Sequence, residues 1–381
     1  MSKWPQHSLG TVIELAYGKS LPKNKRTDGG NIPVYGSNGI AGWHDESLLD
    51  GPAVIVGRKG SAGAVQFVDG PCYPIDTTYF VRPRDGFDFD IKFLFYMLRH
   101  LDLSRLKKAT GVPGLTREDA YREMISVPPL SEQRRIVDLL SRAEGIVRLR
   151  REAEKKAAKL IPALFLDMFG DPATNPKGWP IRKVADFVFR FEGGKNIQAG
   201  SESGSSYRIL KVSAATSGVY RETESKPAPD GYDPPTAHIV RAGDMLFSRA
   251  NTEELVGATA IVSSTNGKTL LPDKLWRFVW AEPVEPSYMH ALFQSPYVRR
   301  ELGKLSSGTS ASMRNISQGR LFNLRLPVAP HGNQKDFSER ATLIHSIKSQ
   351  QAAATAKAQG TFDALLAGVF TETSHILTGN T

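Results

Sequence analysis

The amino-acid sequence predicts an α+β fold with two tandem mixed α/β domains, each followed by a long helix, and an internal pseudo-two-fold repeat. Two segments, 131–169 and 334–370, carry apolar residues at the three- and four-residue spacing of an amphipathic helix. The other segments hold short β-branched or aromatic runs between turn-forming residues. Because each helix can bury its apolar stripe only against a partner, we expect the two helices to pair as an antiparallel coiled-coil spacer.

Changes in composition suggest the domain boundaries. We expect a first domain at 1–130, a central spacer helix at 131–170, a second domain at 171–328, and a C-terminal spacer helix with a tail at 329–381. At ~1.5 Å per residue the first helix is at most ~58 Å long, so it would hold two domains at a fixed distance. Two equivalent domains at a fixed distance are typical of proteins that read two half-sites on DNA.

Each domain is expected to combine strands with one apolar helix. The expected elements are strands 53–56 and 77–81 with helix 93–106 in the first domain, and strands 258–262 and 276–280 with helix 288–302 in the second.

Capping residues and prolines set the expected limits of the long helices. The central helix should begin at Ser131, after two prolines that do not extend a helix, and should end at Gly170. Pro162 inside the pattern predicts a kink or break, and Gly360 should weaken the second helix near its end.

The two halves of the chain share an order of motifs, which indicates an internal repeat. The shared motifs are a β run that ends in arginine (50–58 and 242–249), a Gly/Ser/Thr loop with an arginine (109–117 and 306–314), and a proline–glutamine segment before the long helix (128–133 and 327–334).

The composition is that of an ordinary globular protein with a basic balance. The chain has 381 residues, a net charge of +10 and one cysteine, Cys72. The charge allows a polyanion partner without establishing one, and a single cysteine excludes a disulfide framework and a multi-cysteine metal site. Because no apolar run approaches ~18 residues and the N-terminus lacks an apolar signal region, we expect a soluble, cytoplasmic protein.

No motif of the sequence predicts a catalytic site. Asp233-Pro-Pro-Thr236 lacks the aromatic residue and the accompanying glycine-rich turn of an amino-methyltransferase. Asn266-Gly-Lys-Thr269 lacks the first glycine of a phosphate-binding loop. The eight histidines show no metal-binding spacing. We therefore predict no catalytic residues and no metal ligands.

Basic loops with glycine and polar residues suit contact with phosphates and base edges. The candidate DNA-binding residues lie in both halves: Asn38, Arg58, Lys59, Ser61, Lys107, Lys108 and Arg117, then Arg249, Asn251, Thr252 and Arg314. Arg99 and Arg105 extend the same basic segment, which resembles a phosphate-facing edge. The alternative interpretation is that these loops are tight turns with solvated cations.

Several motifs together resemble the specificity subunit of type I restriction–modification enzymes over essentially the whole chain. The motifs are Pro128-Pro-Leu-Ser-Glu-Gln-Arg-Arg-Ile-Val137, Met168-Phe-Gly170 followed by Gly178-Trp179, Ile32-Pro-Val-Tyr-Gly-Ser-Asn-Gly-Ile40 and Val56-Gly-Arg-Lys-Gly-Ser61. The C-terminal copy departs from the first motif and reads Val328-Ala-Pro-His-Gly-Asn-Gln334, which puts the start of the second helix in doubt.

The resemblance implies a non-catalytic, DNA-binding subunit. Each mixed domain would be a target recognition domain for one half of a bipartite, asymmetric DNA site. The helices would set the gap and dock two methyltransferase subunits through Ile136, Leu140, Val147, Leu164, Ile344, Phe362 and Leu365. The chain would hold no cofactor; S-adenosylmethionine would bind to the methyltransferase subunits, and ATP with Mg²⁺ to a motor–nuclease subunit where one is present. The alternatives are a DNA-processing enzyme with an unrecognised active site and a helical protein-interaction scaffold.

Overall fold

The computed structural model describes residues 4–107, 114–202, 205–310 and 313–371. The chain forms two compact units. Unit 1 is Met1–Glu152 with Ala352–Thr381, and unit 2 is Ala153–Gln351. Both long helices are therefore shared between the units, whereas the sequence predicts a separate segment for each helix.

Unit 1 contains short strands and helices that precede the first long helix. Its elements are β1 (Gln6–Ser8), α1 (Leu9–Val12), β2 (Ile13–Tyr17), β3 (Ile32–Gly36), β4 (Gly39–His44), β5 (Ala53–Gly57), β6 (Val65–Val68), β7 (Tyr73–Pro74), β8 (Thr78–Pro83), α2 (Ile91–Leu101), α3 (Arg117–Tyr121) and β9 (Met124–Ser126), followed by the long helix α4 (Leu130–Ala157), which ends in unit 2.

Unit 2 repeats this plan with insertions. Its elements are α5 (Leu160–Phe169), β10 (Ile181–Lys183), β11 (Val188–Gly193), β12 (Arg208–Leu210), α6 (Ser213–Thr216), β13 (Ser225–Pro227), β14 (Met245–Ser248), β15 (Ala250–Asn251), β16 (Thr259–Ile261), β17 (Thr269–Leu270), β18 (Leu275–Trp280), α7 (Pro286–Gln294), α8 (Pro296–Leu305), β19 (Ser307–Ser310), β20 (Met313–Asn315), α9 (Gln318–Phe322) and β21 (Arg325–Pro327), followed by α10 (His331–Thr371), which ends in unit 1.

The strand order of the sheets confirms the internal repeat. Unit 1 has the orders β2-β8-β5-β6, β4-β3-β7 and β1-β9. Unit 2 has the matching orders β11-β18-β14-β16, β13-β12-β17 and β10-β21. Even the parallel pairs correspond, since β3 pairs with β7 and β12 with β17. Unit 2 also contains the sheet β15-β20-β19; the corresponding residues 108–113 of unit 1 lie outside the described ranges.

Two of the expected short helices are interrupted. The helix expected at 93–106 ends at Leu101, because Asp102 adopts the left-handed conformation with φ 45°. The helix expected at 288–302 is two helices, because Pro296 cannot donate a backbone hydrogen bond and Ser295 caps the second helix through Val298 N.

The long helices lie where the apolar pattern predicts them. The central helix is broken once, and the C-terminal helix is unbroken. The central helix breaks between Ala157 and Leu160, and Pro162 lies in the first turn of α5, where a backbone N–H would have no partner within the helix. Gly170 ends α5 with φ 77°. The expected weakening at Gly360 is wrong, because α10 continues through this residue.

Within unit 1 the two long helices run antiparallel. Arg151 Nη2 donates to Gln359 Oε1 over 2.8 Å. The core of unit 1 contains Ile136, Leu140 and Val147 of α4 together with Phe362 of α10. The buried apolar residues of both helices thus share one core with α2 in unit 1. In unit 2, α5 and the beginning of α10 meet through Phe165, Phe169 and Phe337.

One buried glutamine anchors each long helix to its unit. Gln133 is 1% exposed; it accepts from Asp90 N over 2.9 Å and donates to Asp88 O and Pro128 O over 3.0 Å each. Gln334 is 2% exposed; it accepts from Glu285 N and donates to Ala329 O. Although the C-terminal motif departs from the first copy, it therefore keeps the glutamine, Gln334, that makes the equivalent contacts.

We expect Gln133→Met and Gln334→Met to lower the free energy of unfolding by about 3 kcal/mol, because each leaves backbone groups unpaired, one of them a buried carbonyl, while keeping the side-chain volume. Denaturant unfolding measures the change. Arg134→Ala, at an exposed neighbouring position, is the control and should shift stability by less than about 0.5 kcal/mol. Equal effects of the three substitutions would contradict the anchoring role.

Burial lowers the pKa of His290 to about 4, and its Nδ1 lies 2.9 Å from Thr259 Oγ1. Because the folded pKa is below the unfolded value, stability should fall as pH decreases from about 6.5 towards 4, by up to about 3 kcal/mol. His290→Gln keeps a hydrogen-bonding side chain that does not titrate. Thermal unfolding at pH 7 and pH 4.5 should show a smaller loss in this variant, and an identical loss would contradict the assignment.

Candidate nucleic-acid interface

The basic loop 57–63 of unit 1 is shaped by two glycines. A Cβ atom on Gly57 would lie 2.1 Å from Ser61 O. Gly63 has φ +81°, and a Cβ there would lie 2.3 Å from Ser104 N. Only glycine permits these approaches, so the sequence between β5 and β6 forces the loop to fold back on itself and against the turn at Leu103–Leu106.

Backbone hydrogen bonds join this loop to two other segments. Arg58 N and Lys59 N both donate to Thr77 O, over 2.9 and 3.2 Å. Leu115 N donates to Arg58 O over 2.9 Å, and Lys59 pairs with Gly114 in an isolated β-bridge. Residues from three distant parts of the sequence are therefore held side by side.

The side chains on this scaffold form a basic and polar surface, which we call the unit 1 cluster. Its members are Tyr17, Asn38, Arg58, Lys59, Ser61 and Arg117. Ser61 Oγ donates to Asn38 Oδ1 over 3.4 Å, and Arg58 Nη1 donates to Asp76 O over 2.7 Å. Among the residues that the structure describes, no ion pair engages Arg58, Lys59 or Arg117. Within the described ranges, these three cations thus lack an acidic partner.

The neighbouring basic segment differs from the expectation. Arg99 Nη1 lies 2.8 Å from Glu144 Oε1, and Arg105 pairs with Glu123. These two arginines are neutralised within the chain, so they do not extend a free phosphate-facing edge. Lys107 is exposed, and Lys108 lies outside the described residues.

Unit 2 builds the corresponding loop on the same backbone plan. Arg249 N donates to Lys274 O over 3.1 Å, and Ile316 N donates to Arg249 O over 2.9 Å. Asn251 faces Arg314 between β15 and β20. Gly257 N donates to Ser248 O, as Gly63 N donates to Gly57 O in unit 1. We call Arg249, Asn251, Thr252, Trp276 and Arg314 the unit 2 cluster.

The unit 2 cluster is more strongly compensated by its own chain. Arg249 Nε donates to Asp273 O over 2.7 Å, and its Nη2 lies 3.7 Å from Asp273 Oδ2. Arg314 Nη2 lies 4.0 Å from Glu253 Oε1. Asn251 Nδ2 donates to Ser248 Oγ, and Asn251 Oδ1 accepts from Thr252 N. Asn251 therefore shapes the turn with both ends of its amide and keeps one donor and one acceptor position for a paired contact with a purine.

The sequence did not predict the aromatic members of the two clusters, Tyr17 and Trp276. The guanidinium Cζ atoms of Arg58 and Arg117 lie 4.9 and 3.9 Å from the centre of the Tyr17 ring. The Arg249 guanidinium lies 5.6 Å from the Trp276 ring. The only sequence signal for Tyr17 is its place at the end of a β run, which does not reveal arginines so far along the chain.

The helix residues expected to dock partner subunits are mostly inside the protein. Ile136, Leu140, Val147 and Phe362 are buried in the core of unit 1, so the expectation is corrected for these four. Leu164 and Leu365 are partly buried against the cores of their units, and Ile344 is half-buried. The exposed large apolar residues of these helices are instead Leu139, Ile146 and Leu149 on α4, Leu160 and Leu166 on α5, and Leu343 and Ile347 on α10.

The described residues show neither a metal cluster nor a membrane helix. In 4–107, 114–202, 205–310 and 313–371, no group of three or more His, Cys, Asp or Glu residues could hold a metal ion. None of the helices in this part of the chain combines the length and hydropathy that a membrane crossing needs.

The sequence is similar to known specificity subunits. Residues 1–159 match the family described as the type I restriction modification DNA specificity domain. The chain is 27% identical over 198 residues to the type I restriction enzyme EcoEI specificity subunit of Escherichia coli, covering 51% of this chain and 33% of that one. It is 25% identical over 278 residues to the MjaVIII specificity subunit of Methanocaldococcus jannaschii, covering 68% and 64%. The matches thus span from a third to just under two thirds of these relatives.

Solved structures share the fold along nearly the whole chain. The crystal structure of a type I restriction–modification S subunit from M. genitalium superposes with a TM-score of 0.62 at 13% identity, over 97% of this chain and 96% of that one. A chain from a study of assembly and conformational transition of the type I R-M system gives 0.58 at 19% identity, over 96% and 97%. The fold class and the family resemblance inferred from the sequence are confirmed.

We expect Lys59→Ala to weaken binding of the full-length chain to duplex DNA of any sequence, and to reduce the slope of log affinity against log salt by about 1, because one phosphate contact is lost. Fluorescence anisotropy at several salt concentrations measures both quantities. Lys335→Ala removes the same charge from an exposed position on α10 and should leave the slope unchanged. Equal salt slopes for wild type and Lys59→Ala would show that Lys59 does not contact a phosphate.

Proposed function

Because this chain is similar to the specificity subunits of type I restriction–modification systems, we propose that it is the non-catalytic subunit that selects the DNA sequence for such a complex. Unit 1 reads one half of a bipartite, asymmetric site and unit 2 reads the other half. The observation that supports this proposal is the repetition of one loop scaffold in both units, with different side chains on each copy.

The differences between the copies favour two unlike half-sites. The unit 1 cluster presents three cations that no acid of the described chain pairs with, beside the exposed Asn38 and Ser61. In the unit 2 cluster the arginines approach Asp273 and Glu253, and Asn251 turns its amide towards Ser248 and Thr252. Two surfaces with the same backbone and different donor patterns recognise different bases, since base edges differ in their donor and acceptor patterns.

Recognition divides between charge and hydrogen bonding. Lys59 and Lys107 neutralise phosphates and supply salt-dependent affinity that does not depend on sequence. Arg58, Arg117 and Arg249 present planar guanidinium donors, which pair with the O6 and N7 acceptors of guanine; a good paired contact contributes ~1–3 kcal/mol of discrimination between bases.

The long helices set the gap between the half-sites and carry the partner subunits. The exposed Leu139, Ile146 and Leu149 of α4 are the surface that we assign to a methyltransferase subunit, because exposed apolar residues grouped on one element are typical of interaction sites. Two such subunits hold S-adenosylmethionine and modify adenines. A motor–nuclease subunit with ATP and Mg²⁺ completes a restricting complex. This chain supplies no cofactor site.

The test is a selection from a random DNA pool with the chain co-purified with its methyltransferase partner. We expect a split motif, with two defined blocks and an undefined gap. A single block would contradict the assignment of one half-site to each unit. An active, stable complex that enriches no motif would favour a helical protein-interaction scaffold, and DNA cleavage or methylation by the purified chain alone would favour a DNA-processing enzyme.

We further expect Arg58→Ala to degrade one block of the selected motif and Arg249→Ala to degrade the other, because the two arginines lie in separate units. Repeating the selection with each variant measures this. Arg142→Ala, which removes an exposed arginine of α4, is the control and should leave both blocks intact. If either cluster variant degraded both blocks equally, the arginines would not belong to separate readers.

A further inference from the structure

Tyr17 holds an unusual place in the unit 1 cluster. Its ring is 49% exposed at the end of β2, and guanidinium groups from two distant segments approach it. Arg58 comes from the loop after β5, and Arg117 is the first residue of α3. A tyrosine ring attracts a guanidinium through its negative face, and the planar guanidinium also stacks on it. One half-exposed ring therefore restrains two arginines.

The stacked arginines keep most of their donors free. A guanidinium carries five N–H donors in its plane, and stacking occupies the face, not the edge. Arg58 uses one donor on Asp76 O. Within the described part of the chain, Arg117 makes no hydrogen bond or ion pair through its guanidinium, although the exposed Glu118 follows it in sequence. Both arginines thus keep donors that no group of the described chain engages.

The support beneath Tyr17 is rigid. Tyr17 pairs with Tyr79 across β2 and β8, and the two ring centres lie 5.2 Å apart. The buried Tyr79 hydroxyl donates to Leu115 O over 3.1 Å, and burial raises the pKa of Tyr79 to about 12, so this donor stays protonated. The segment that carries Arg117 is therefore fixed to the same platform as the ring.

Unit 2 shows that this arrangement is not a general requirement of the scaffold. There a single arginine, Arg249, lies over Trp276, and Asp273 compensates its charge. Trp276 is 7% exposed, so it belongs to the core, whereas Tyr17 is at the surface. A surface ring that stacks two uncompensated arginines has no equivalent among the described residues of unit 2.

We propose that Tyr17 is a positioning residue that preforms Arg58 and Arg117 as a pair of donors for the DNA bound by unit 1. This inference rests on the proposed function. An arginine ordered before binding loses less conformational freedom when it meets its target. The acceptors that fit the pair are the oxygens of a phosphate or the O6 and N7 atoms of guanine, which present the same chemistry to a planar donor edge.

The experiment measures affinity for the selected site in the chain with its methyltransferase partner. Tyr17→Leu keeps an apolar side chain and removes the ring, so affinity should fall by about 5- to 10-fold, because two arginine side chains must then be ordered on binding. Tyr17→Phe returns the ring and should recover affinity to within about threefold of wild type. Phe189→Leu, at an exposed ring beside Arg190 in unit 2, is the matched control and should have no effect.

A double-mutant cycle separates positioning from a structural role. In an Arg58→Ala, Arg117→Ala background, Tyr17→Leu should weaken binding by less than twofold, because no arginine remains to be positioned. Thermal unfolding should be the same for wild type and Tyr17→Leu. An equal loss of affinity in both backgrounds, or unchanged affinity of Tyr17→Leu in the wild-type background, would overturn the inference.

Two further measurements identify the DNA group that Arg58 and Arg117 contact, and distinguish a failure of this inference from a failure of the proposed function. Replacing guanine by 7-deazaguanine in the first block removes N7, so the effect of Tyr17→Leu should shrink if the arginines read guanine and persist if they hold phosphate; either result supports positioning. A split motif from the wild-type complex with unchanged binding by Tyr17→Leu would overturn the inference alone. No motif from the wild-type complex would overturn both.

Discussion

A buried glutamine at the start of each long helix is the contact on which the rest of this structure depends. Gln133 and Gln334 each join the helix to the backbone of the unit that precedes it. An amide serves this purpose because it accepts and donates at once, and because its backbone partners, among them the buried carbonyls of Pro128 and Ala329, would be unpaired without it. The direction in which each helix leaves its unit is therefore fixed by hydrogen bonds, which are more directional than apolar packing.

The recognition surfaces also depend on hydrogen bonds to main-chain atoms. Both units use a strand, a tight loop and a paired segment to hold an arginine at an equivalent backbone position, and the shared hydrogen bonds run through main-chain atoms. Side chains are then free to differ, because the loop depends on glycine and on main-chain contacts more than on its exposed residues. Such a scaffold suits a protein whose two surfaces must read different bases.

The sequence predicted the elements that depend on local pattern and missed those that depend on distant contacts. The long helices, several strands and the repeat follow from periodicity and motif order, and all are present. The break at Pro296 is local, but the apolar pattern on both sides masked it. Ile136 and Phe362 were assigned to partner subunits because a stripe does not reveal which surface covers it. The arrangement of Arg58 and Arg117 over Tyr17 could not be predicted, since it is created by strand pairing between distant segments.

The most direct test of the central claim is hydrogen–deuterium exchange of the complex on three DNA duplexes, at concentrations where all three bind. One duplex carries both blocks of the selected site, and the others have one block scrambled. We expect protection of loop 57–63 to be lost when one block is scrambled, and protection of residues 249–252 to be lost only when the other is. If scrambling either block removed protection from both segments equally, the two units would not be independent readers and the account would be contradicted.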